Sequence, residues 1–193
     1  MRVLGHDTDA SGPTNPSGHQ RDPHRSWDSS LRRPRGSDAI GMHRLAEATG
    51  ALDLNSPYAY LLCATDFADT AIVAEADGDL LGFITGYHPP TRPEVLFVWQ
   101  VAVAPSAQGR GLASAMLDGL AARVRTDRHG HPLTVEATVA PTNNQSRALF
   151  GAFARRHGVP MIENPHFSAE LLDPDLNHED EPILRIGPIT STR

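Results

Sequence analysis

Residues 99–113 read WQVAVAPSAQGRGLA, and this stretch decides the fold. It begins with apolar, β-favouring residues, as in a buried strand. A short loop follows, and the apolar residues after it recur at the spacing of an amphipathic helix. Glycines at positions 109 and 111 allow the main chain to approach a ligand closely. The stretch predicts a strand, a glycine-rich loop and a helix from Gly109 to about Arg128.

The loop before this helix is a candidate anion site. The first-turn N–H groups of a helix have no partner within it, and the helix dipole adds positive charge there, which suits a phosphate or pyrophosphate. A P-loop is not indicated, because its lysine followed by Ser or Thr is absent. Gly109, Gly111 and Ser114 only approximate a dinucleotide fingerprint, and a preceding hairpin is the wrong context for a Rossmann unit.

The rest of the chain predicts one mixed α/β domain around this unit. Asp77-Gly78-Asp79 is a hairpin turn sequence. The predicted elements are strands at 31–34, 71–75, 80–87, 95–103, 133–139, 167–172 and 183–186, and helices from Ser37 or Asp38 to Thr49, from Ser56-Pro57 onward, and at 109–128 and 143–157. Apolar faces are expected from Ile40, Leu45 and Ala48 in the first helix and from Tyr58, Leu61 and Leu62 in the second. This order predicts a one-layer mixed sheet with helices on both faces.

The length of 193 residues suits one domain with a tail. Residues 1–30 contain few apolar side chains, so we expect a disordered tail there and a folded domain at 31–193. The tail histidines are too widely spaced to suggest a metal site, and none is expected elsewhere.

Charge and cysteine content restrict the partners and the compartment. The net charge of −6 does not favour nucleic acid or an anionic membrane, and it suits a small cationic or zwitterionic partner. Cys63 is the single cysteine, so a reducing cytoplasm is expected. The longest nearly apolar run, 95–104, is too short to span a bilayer, and no secretory signal is recognisable.

The glycine-rich loop resembles the Gln/Arg-x-x-Gly-x-Gly/Ala signature of the GNAT superfamily of N-acetyltransferases, through Gln108, Gly111 and Ala113. The resemblance implies a GNAT-type acyl-CoA N-acyltransferase fold and acetyl-CoA as co-substrate. It also implies a splayed gap in the sheet beside residues 99–103 that admits the thioester. The implied cofactor-binding residues are Val101, Val103, Gln108, Gly109, Arg110, Gly111, Leu112, Ala113 and Asn143.

Residues 143–150, NNQSRALF, resemble a second GNAT segment, Asn-x-x-Ala/Ser-x-x-Leu-Tyr. There the asparagine helps to hold the cofactor, although Asn143 could equally be only a helix cap. Phe150 stands where many relatives have a tyrosine that protonates the leaving thiolate. The proton must then come from water or another group, or no dedicated acid is needed, since a thiolate is a tolerable leaving group near neutral pH.

A more specific resemblance covers about residues 31–189. The segments LDLNSPYAYLL (52–62), GFITGY (82–87), FVWQVAV (97–103) and HEDEP (178–182) are similar to the L-2,4-diaminobutyrate acetyltransferases of ectoine biosynthesis. The resemblance implies transfer of acetyl from acetyl-CoA to the γ-amine of L-2,4-diaminobutyrate. The product, N-γ-acetyl-2,4-diaminobutyrate, precedes the osmolyte ectoine, which links the activity to osmotic stress. A cytoplasmic homodimer is implied as well.

The same resemblance implies the acceptor site. Asp53 and Glu179 would hold the two amino groups, and Tyr58 and Trp99 would wall the pocket with His178 nearby. Paired carboxylates suit a diamine, and aromatic walls exclude water around its short stem. Each residue has a structural alternative, because Asp53 could cap the second helix, the aromatic residues could be core, and residues 178–181 could be a solvated acidic turn.

For catalysis, the resemblance implies that the main-chain N–H of Val101 holds the developing oxyanion next to Trp99. Glu179 is the expected base, Glu181 is the competitor, and a water relay is a further alternative. Cys63 is expected to have a packing role.

Three other functions stay open on the residues alone. The first is acetylation of another small amine or a protein N-terminus. The second is a non-catalytic acetyl-CoA-binding sensor, which only Phe150 favours. The third, a dinucleotide-binding protein, is disfavoured by the strand order.

Overall fold

The computed structural model describes residues 31–50, 52–172 and 178–190. The tail predicted at residues 1–30 lies outside the described residues. The strands are β1 (Leu31–Arg32), β2 (Ile72–Ala76), β3 (Asp79–Tyr87), β4 (Val95–Val103), β5 (Leu133–Thr138), β6 (Met161–Phe167) and β7 (Glu181–Ile189). The helices are α1 (Ala39–Thr49), α2 (Pro57–Ala64), α3 (Leu112–Asp127), α4 (Asn144–His157) and α5 (Ala169–Leu172). Within these ranges no helix is long and apolar enough to cross a membrane.

The strands form one seven-stranded sheet in the order β1-β2-β3-β4-β5-β7-β6. Strands β4 and β5 are parallel, and the other neighbouring strands are antiparallel. The predicted mixed sheet in a single layer is therefore confirmed. A parallel pair needs a crossover between its strands, and α3 supplies it.

Helices cover both faces of the sheet, as predicted. Successive side chains of a strand point to opposite faces. Accordingly, Ile72 and Ala74 of β2 belong to the larger core with α3 and α4, whereas Val73 belongs to a smaller core with α1 and α2. The sheet is thus buried on both faces in its centre, where β4 lies.

Several predicted bounds are confirmed. Strand β4 begins and ends where expected, and the β2–β3 hairpin turns through Asp77 and Gly78, both at positive φ. Gly50 ends α1 in the left-handed region. The Ser56 hydroxyl accepts a hydrogen bond from the Ala59 N–H and caps α2.

The C-terminal third differs from the prediction. The strand expected at residues 167–172 is wrong, because the strand there ends at Phe167 and residues Ala169–Leu172 form a short helix. Strand β6, at Met161–Phe167, was not predicted, since Asn164, Pro165 and His166 interrupt its apolar residues. Strand β7 was predicted only in its central part, 183–186.

Predictions for three helices need correction as well. Helix α3 begins at Leu112 and not at Gly109, because Gly109 and Gly111 have φ values of 70° and 77°, outside the helical region. In α1, Ile40 and Ala48 are exposed, and the buried residues are Ala39, Met42, Leu45 and Ala46. In α2, Tyr58 and Leu61 are exposed, and the buried residues are Tyr60, Cys63 and Ala64.

The centre of the sheet contains a gap. Strands β4 and β5 pair at three positions only, Val95 to Phe97 with Thr134 to Glu136. On the other side of β4, Gly86 faces Val98 and Thr85 faces Gln100, so Trp99 is the extra residue of a β-bulge. A bulge bends its strand, and the last part of β4 leaves the pairing with β5. The splayed gap expected beside residues 99–103 is present.

Candidate active site

A cavity of about 820 Å³ occupies the gap between β4 and β5. Residues from both faces of the sheet line it, and its wall combines apolar and polar groups, as is usual for a small-molecule site. The lining residues are Leu52, Asp53, Asn55, Cys63, Phe67, Gly86, Tyr87, His88, Pro90, Phe97, Val98, Trp99, Gln100, Val101, Ala137, Thr138, Val139, Asn143, Ser146, Phe150, Phe167, Leu172, His178 and Glu181.

Asp53 and His178 lie together on the α2 side of the cavity. The Asp53 carboxylate is 96% exposed, and its Oδ2 is 4.0 Å from Nε2 of His178. The main-chain oxygen of Asp53 accepts hydrogen bonds from Nε2 of Gln100 at 2.9 Å and from Nδ2 of Asn55 at 3.4 Å. The helix cap is Ser56, so Asp53 is not the N-cap of α2.

The two acidic candidates have different positions. Glu181 lines the cavity, and its Oε2 accepts a 2.7 Å hydrogen bond from the Thr138 hydroxyl. Glu179 is exposed and does not line the cavity. Its Oε1 accepts a 2.7 Å hydrogen bond from the Thr142 hydroxyl, which turns the carboxylate towards the loop before α4. The geometry thus brings the competitor Glu181 to the cavity in place of the preferred Glu179.

The aromatic candidates also differ. Trp99 lines the cavity from the bulge of β4 and keeps 47% of its surface exposed. Tyr58, in the first turn of α2, is 68% exposed and does not line the cavity. The cavity is also lined by Tyr87 and Phe97, which the sequence did not predict as site residues. Their ring centroids are 5.1 Å apart.

The side of the gap where the resemblance places the thioester is formed by β4 and α4. Val101 lines the cavity and is partly buried. Asn143 lines it as well, and its Oδ1 caps α4 by accepting a 3.0 Å hydrogen bond from the Ser146 N–H. Phe150 is 2% exposed and lines the cavity next to these residues, without a hydroxyl.

The glycine-rich loop lies beyond the cavity, at the end of β4. Its residues Gln108 to Gly111 are exposed, and Nε2 of Gln108 donates a 3.2 Å hydrogen bond to the carbonyl of Val103. Helix α3 begins without a capping side chain. The first main-chain hydrogen bond of the helix runs from the Ala115 N–H to the Gly111 carbonyl. The N–H groups of residues 112–114 therefore point out of the helix end.

These residues fit the pyrophosphate of an acyl-CoA. A Cβ added to Gly109 or Gly111 would meet no protein atom within 4 Å, so the space beside both glycines is open. Leu112 is buried and anchors the helix start, and Ala113 is partly buried beside it. Arg110 is exposed at the tip of the loop. An uncapped helix start with open space in front of it is suited to an anion.

Gln100, His88 and Thr138 are polar cavity residues that the sequence reading did not identify as functional. Nδ1 of His88 is 2.6 Å from the carbonyl of Val95, and because a carbonyl only accepts, Nδ1 is the donor in this hydrogen bond. No sequence motif marks these positions, because each depends on which strands lie side by side. Cys63 also lines the cavity, and burial raises the pKa of its thiol, which agrees with a packing role.

Known proteins are similar to this chain over most of its length. The family described as Acetyltransferase (GNAT) family matches residues 39–154. An L-2,4-diaminobutyric acid acetyltransferase from Streptomyces avermitilis is 48% identical over 159 residues, which cover 82% of this chain and 87% of that protein. The enzyme of the same name from Streptomyces coelicolor is 43% identical and covers 85% of this chain and 95% of its own length.

A solved structure is similar over most of the fold. It is the diaminobutyrate acetyltransferase EctA from Paenibacillus lautus in complex with its substrate L-2,4-diaminobutyric acid and coenzyme A. The TM-score is 0.76 at 41% identity, and the match covers 84% of this chain and 96% of that one. This chain therefore belongs to the GNAT family of acetyltransferases and, within it, to the L-2,4-diaminobutyric acid acetyltransferases.

Proposed function

We propose that this protein transfers the acetyl group of acetyl-CoA to the γ-amine of L-2,4-diaminobutyrate. The observation that carries the proposal is one cavity whose lining includes Asp53 and Glu181, two carboxylates suited to a diamine, together with Val101 of β4. The relatives that match most of the chain are named as diaminobutyrate acetyltransferases, which supports this acceptor.

The acceptor binds on the α2 side of the gap. Asp53 and Glu181 hold ammonium groups of the diamino acid, and His178 lies near them, with its Nε2 4.0 Å from the Asp53 carboxylate. Trp99 and Phe97 exclude water around the short stem of the acceptor. An acceptor with a single amino group leaves one of the two carboxylates without a partner. The site therefore favours the diamino acid over simple amines.

Acetyl-CoA, when bound, supplies a thioester whose carbonyl carbon accepts the amine. The N–H groups of residues 112–114, with Gly109 and Gly111, hold its pyrophosphate. Val103, Gln108, Arg110 and Asn143 surround the rest of the cofactor. The main-chain N–H of Val101 donates to the thioester oxygen and stabilises the negative charge that develops there.

The amine must lose a proton before it attacks. We assign this step to Glu181, directly or through one water molecule, because it faces the cavity whereas Glu179 is bonded to Thr142. Glu179 then shapes the loop before α4. The departing thiolate takes its proton from water, since Phe150 has none to give.

The assembly and the setting are part of the same proposal. We propose, in line with the sequence resemblance, a homodimer in the cytoplasm that acts in ectoine formation under osmotic stress. Strand β6 ends the sheet, and Met161, Ile162 and Phe167 on it are exposed, which supports an interface there. Light scattering after size exclusion gives the mass, with twice the 20.8 kDa of the chain expected.

The activity is tested with purified protein, acetyl-CoA and separate amines, by following free thiol. Diaminobutyrate, ornithine, lysine and a polyamine form the panel. We expect thiol release with diaminobutyrate well above that with the others. Absence of release with every amine would favour an acetyl-CoA-binding sensor, and preference for lysine would favour another small-amine acetyltransferase.

A further inference from the structure

Gln100 is a buried polar residue in the middle of the site. It lies between Trp99 and Val101 on β4, is 6% exposed, and lines the cavity. Ala102, two residues further on, packs in the smaller core, so the Gln100 side chain lies on the α1 and α2 face of the sheet. A buried amide of this kind requires a hydrogen-bond partner.

The partner is a main-chain atom 47 residues away. Nε2 of Gln100 donates to the carbonyl oxygen of Asp53 at 2.9 Å. A carbonyl can only accept, so this bond also sets which end of the amide faces the loop. Asn55 donates to the same oxygen at 3.4 Å, within its own loop. Gln100 thereby ties the loop that carries Asp53 to the strand that carries Val101.

The Asp53 side chain has little else to hold it. It is 96% exposed, and the His178 ring nitrogen is 4.0 Å from its carboxylate, longer than a hydrogen bond. The position of the carboxylate is therefore set mainly by its main chain. An error of about 1 Å in such a group is enough to cost a large factor in rate.

We infer that Gln100 is a positioning residue that fixes Asp53 relative to the reacting strand. The inference rests on the acceptor role proposed for Asp53. Gln100 itself needs no contact with the acceptor, because it acts through the Asp53 main chain. Gln100 is flanked on β4 by Trp99 and Val101. Its side chain therefore links the loop that carries Asp53 to the strand that carries both of these residues.

A matched control lies directly across the sheet. Thr85 faces Gln100 in the β3–β4 register, is 1% exposed, and its hydroxyl has no hydrogen-bond partner. Thr85→Val therefore changes a buried polar side chain at the same place without releasing the loop. It is expected to keep the activity of the unmodified protein within about twofold.

The test compares Gln100→Met, which keeps the length of the side chain and removes the donor, with Thr85→Val. We expect Gln100→Met to raise the acceptor KM about tenfold, with acetyl-CoA affinity unchanged within about twofold. Gln100→Glu is the second variant, and its carboxylate repels the Asp53 carbonyl at pH 8. A similar or larger rise in KM is expected for it.

A double-mutant cycle separates positioning from a general structural effect. If Gln100 acts through Asp53, Gln100→Met adds little to the acceptor KM of an Asp53→Asn protein. Additive effects, an unchanged acceptor KM in both Gln100 variants, or equal losses for acceptor and acetyl-CoA would overturn the inference.

Hydrogen exchange gives a readout that needs no substrate. Peptides covering residues 52–60 should exchange faster in Gln100→Met than in Thr85→Val or in the unmodified protein. If exchange is faster but diaminobutyrate is not acetylated, the anchor stands and the proposed function fails. Unchanged exchange in Gln100→Met would contradict the anchor even in an active enzyme.

Discussion

The Thr138 hydroxyl, at the end of β5, donates a 2.7 Å hydrogen bond to the carboxylate of Glu181, at the start of β7. The bond holds one carboxylate oxygen and leaves the other available in the cavity that both residues line. In the mechanism proposed above, this held carboxylate is the acceptor for the proton of the attacking amine.

We predict that Glu181→Gln lowers kcat/KM for diaminobutyrate by about 10² or more, because the amide cannot accept the amine proton. Glu179→Gln, the matched control two residues away, should stay within a few-fold, since it changes a bond to Thr142 outside the cavity. Steady-state thiol release measures both. The reverse order of effects would return the role of base to Glu179.

Asp53→Asn should raise the acceptor KM about tenfold or more, as expected when a charged hydrogen bond to an ammonium group is lost. Its affinity for acetyl-CoA should not change, because Asp53 lies across the gap from α4 and the glycine-rich loop. Calorimetric titration with coenzyme A checks this. Loss of both affinities would mean that Asp53 has a structural role.

Gly111→Ala should weaken acetyl-CoA binding, because Gly111 has φ of 77° and an alanine there favours a different main-chain path at the start of α3. A stability loss of about 1–2 kcal/mol accompanies the change. Gly130 has φ of 76° with the same open surroundings but lies in the turn after α3. Gly130→Ala is expected to lose similar stability and keep its affinity for coenzyme A, and equal affinities in the two variants would count against the loop as the pyrophosphate site.

Stability should depend on pH through Asp38. Its carboxylate accepts two hydrogen bonds from Arg32, at 2.7 and 2.9 Å, and these lower its pKa below 3.8, with a smaller effect from the Arg35 N–H. A carboxyl group whose pKa is lower in the folded than in the unfolded protein stabilises the fold at pH values above the unfolded-state pKa. This stabilisation is lost as the pH falls through the folded-state pKa. Asp38→Asn should therefore cost about 1–3 kcal/mol at pH 7 and progressively less below pH 3.8. Urea unfolding of both proteins at pH 7 and below pH 3.8 tests this prediction. The same difference in the free energy of unfolding at both pH values would contradict it.

The fold was predictable where local signals and global packing agree. The strand at 95–103, the Asp77-Gly78 turn and the Ser56 cap follow from residue type alone, and each is present. Strand β6 was missed because an edge strand exposed on both faces needs no apolar alternation. The start of α3 was misplaced because Gly109 and Gly111 are compatible with both a helix and a turn.

The site was predictable in part for a similar reason. Motifs singled out Asn143, Asp53, Trp99 and His178, which line the cavity, and the glycine-rich loop, which lies beyond it. Tyr58 lies outside the cavity because the opposite face of α2, with Tyr60 and Cys63, packs on the sheet. The contacts of Gln100 with Asp53 and of Thr138 with Glu181 join residues 47 and 43 positions apart, and only the sheet order brings them together.

A competition experiment with product analysis tests the proposed γ-acetylation of diaminobutyrate most directly. The unmodified protein receives limiting acetyl-CoA and an equimolar mixture of diaminobutyrate, ornithine and lysine, and NMR identifies the acetylated products. We expect N-γ-acetyl-2,4-diaminobutyrate to be the predominant acetylated product. Acetylation mainly at the α-amine, or mainly of ornithine or lysine, would contradict it.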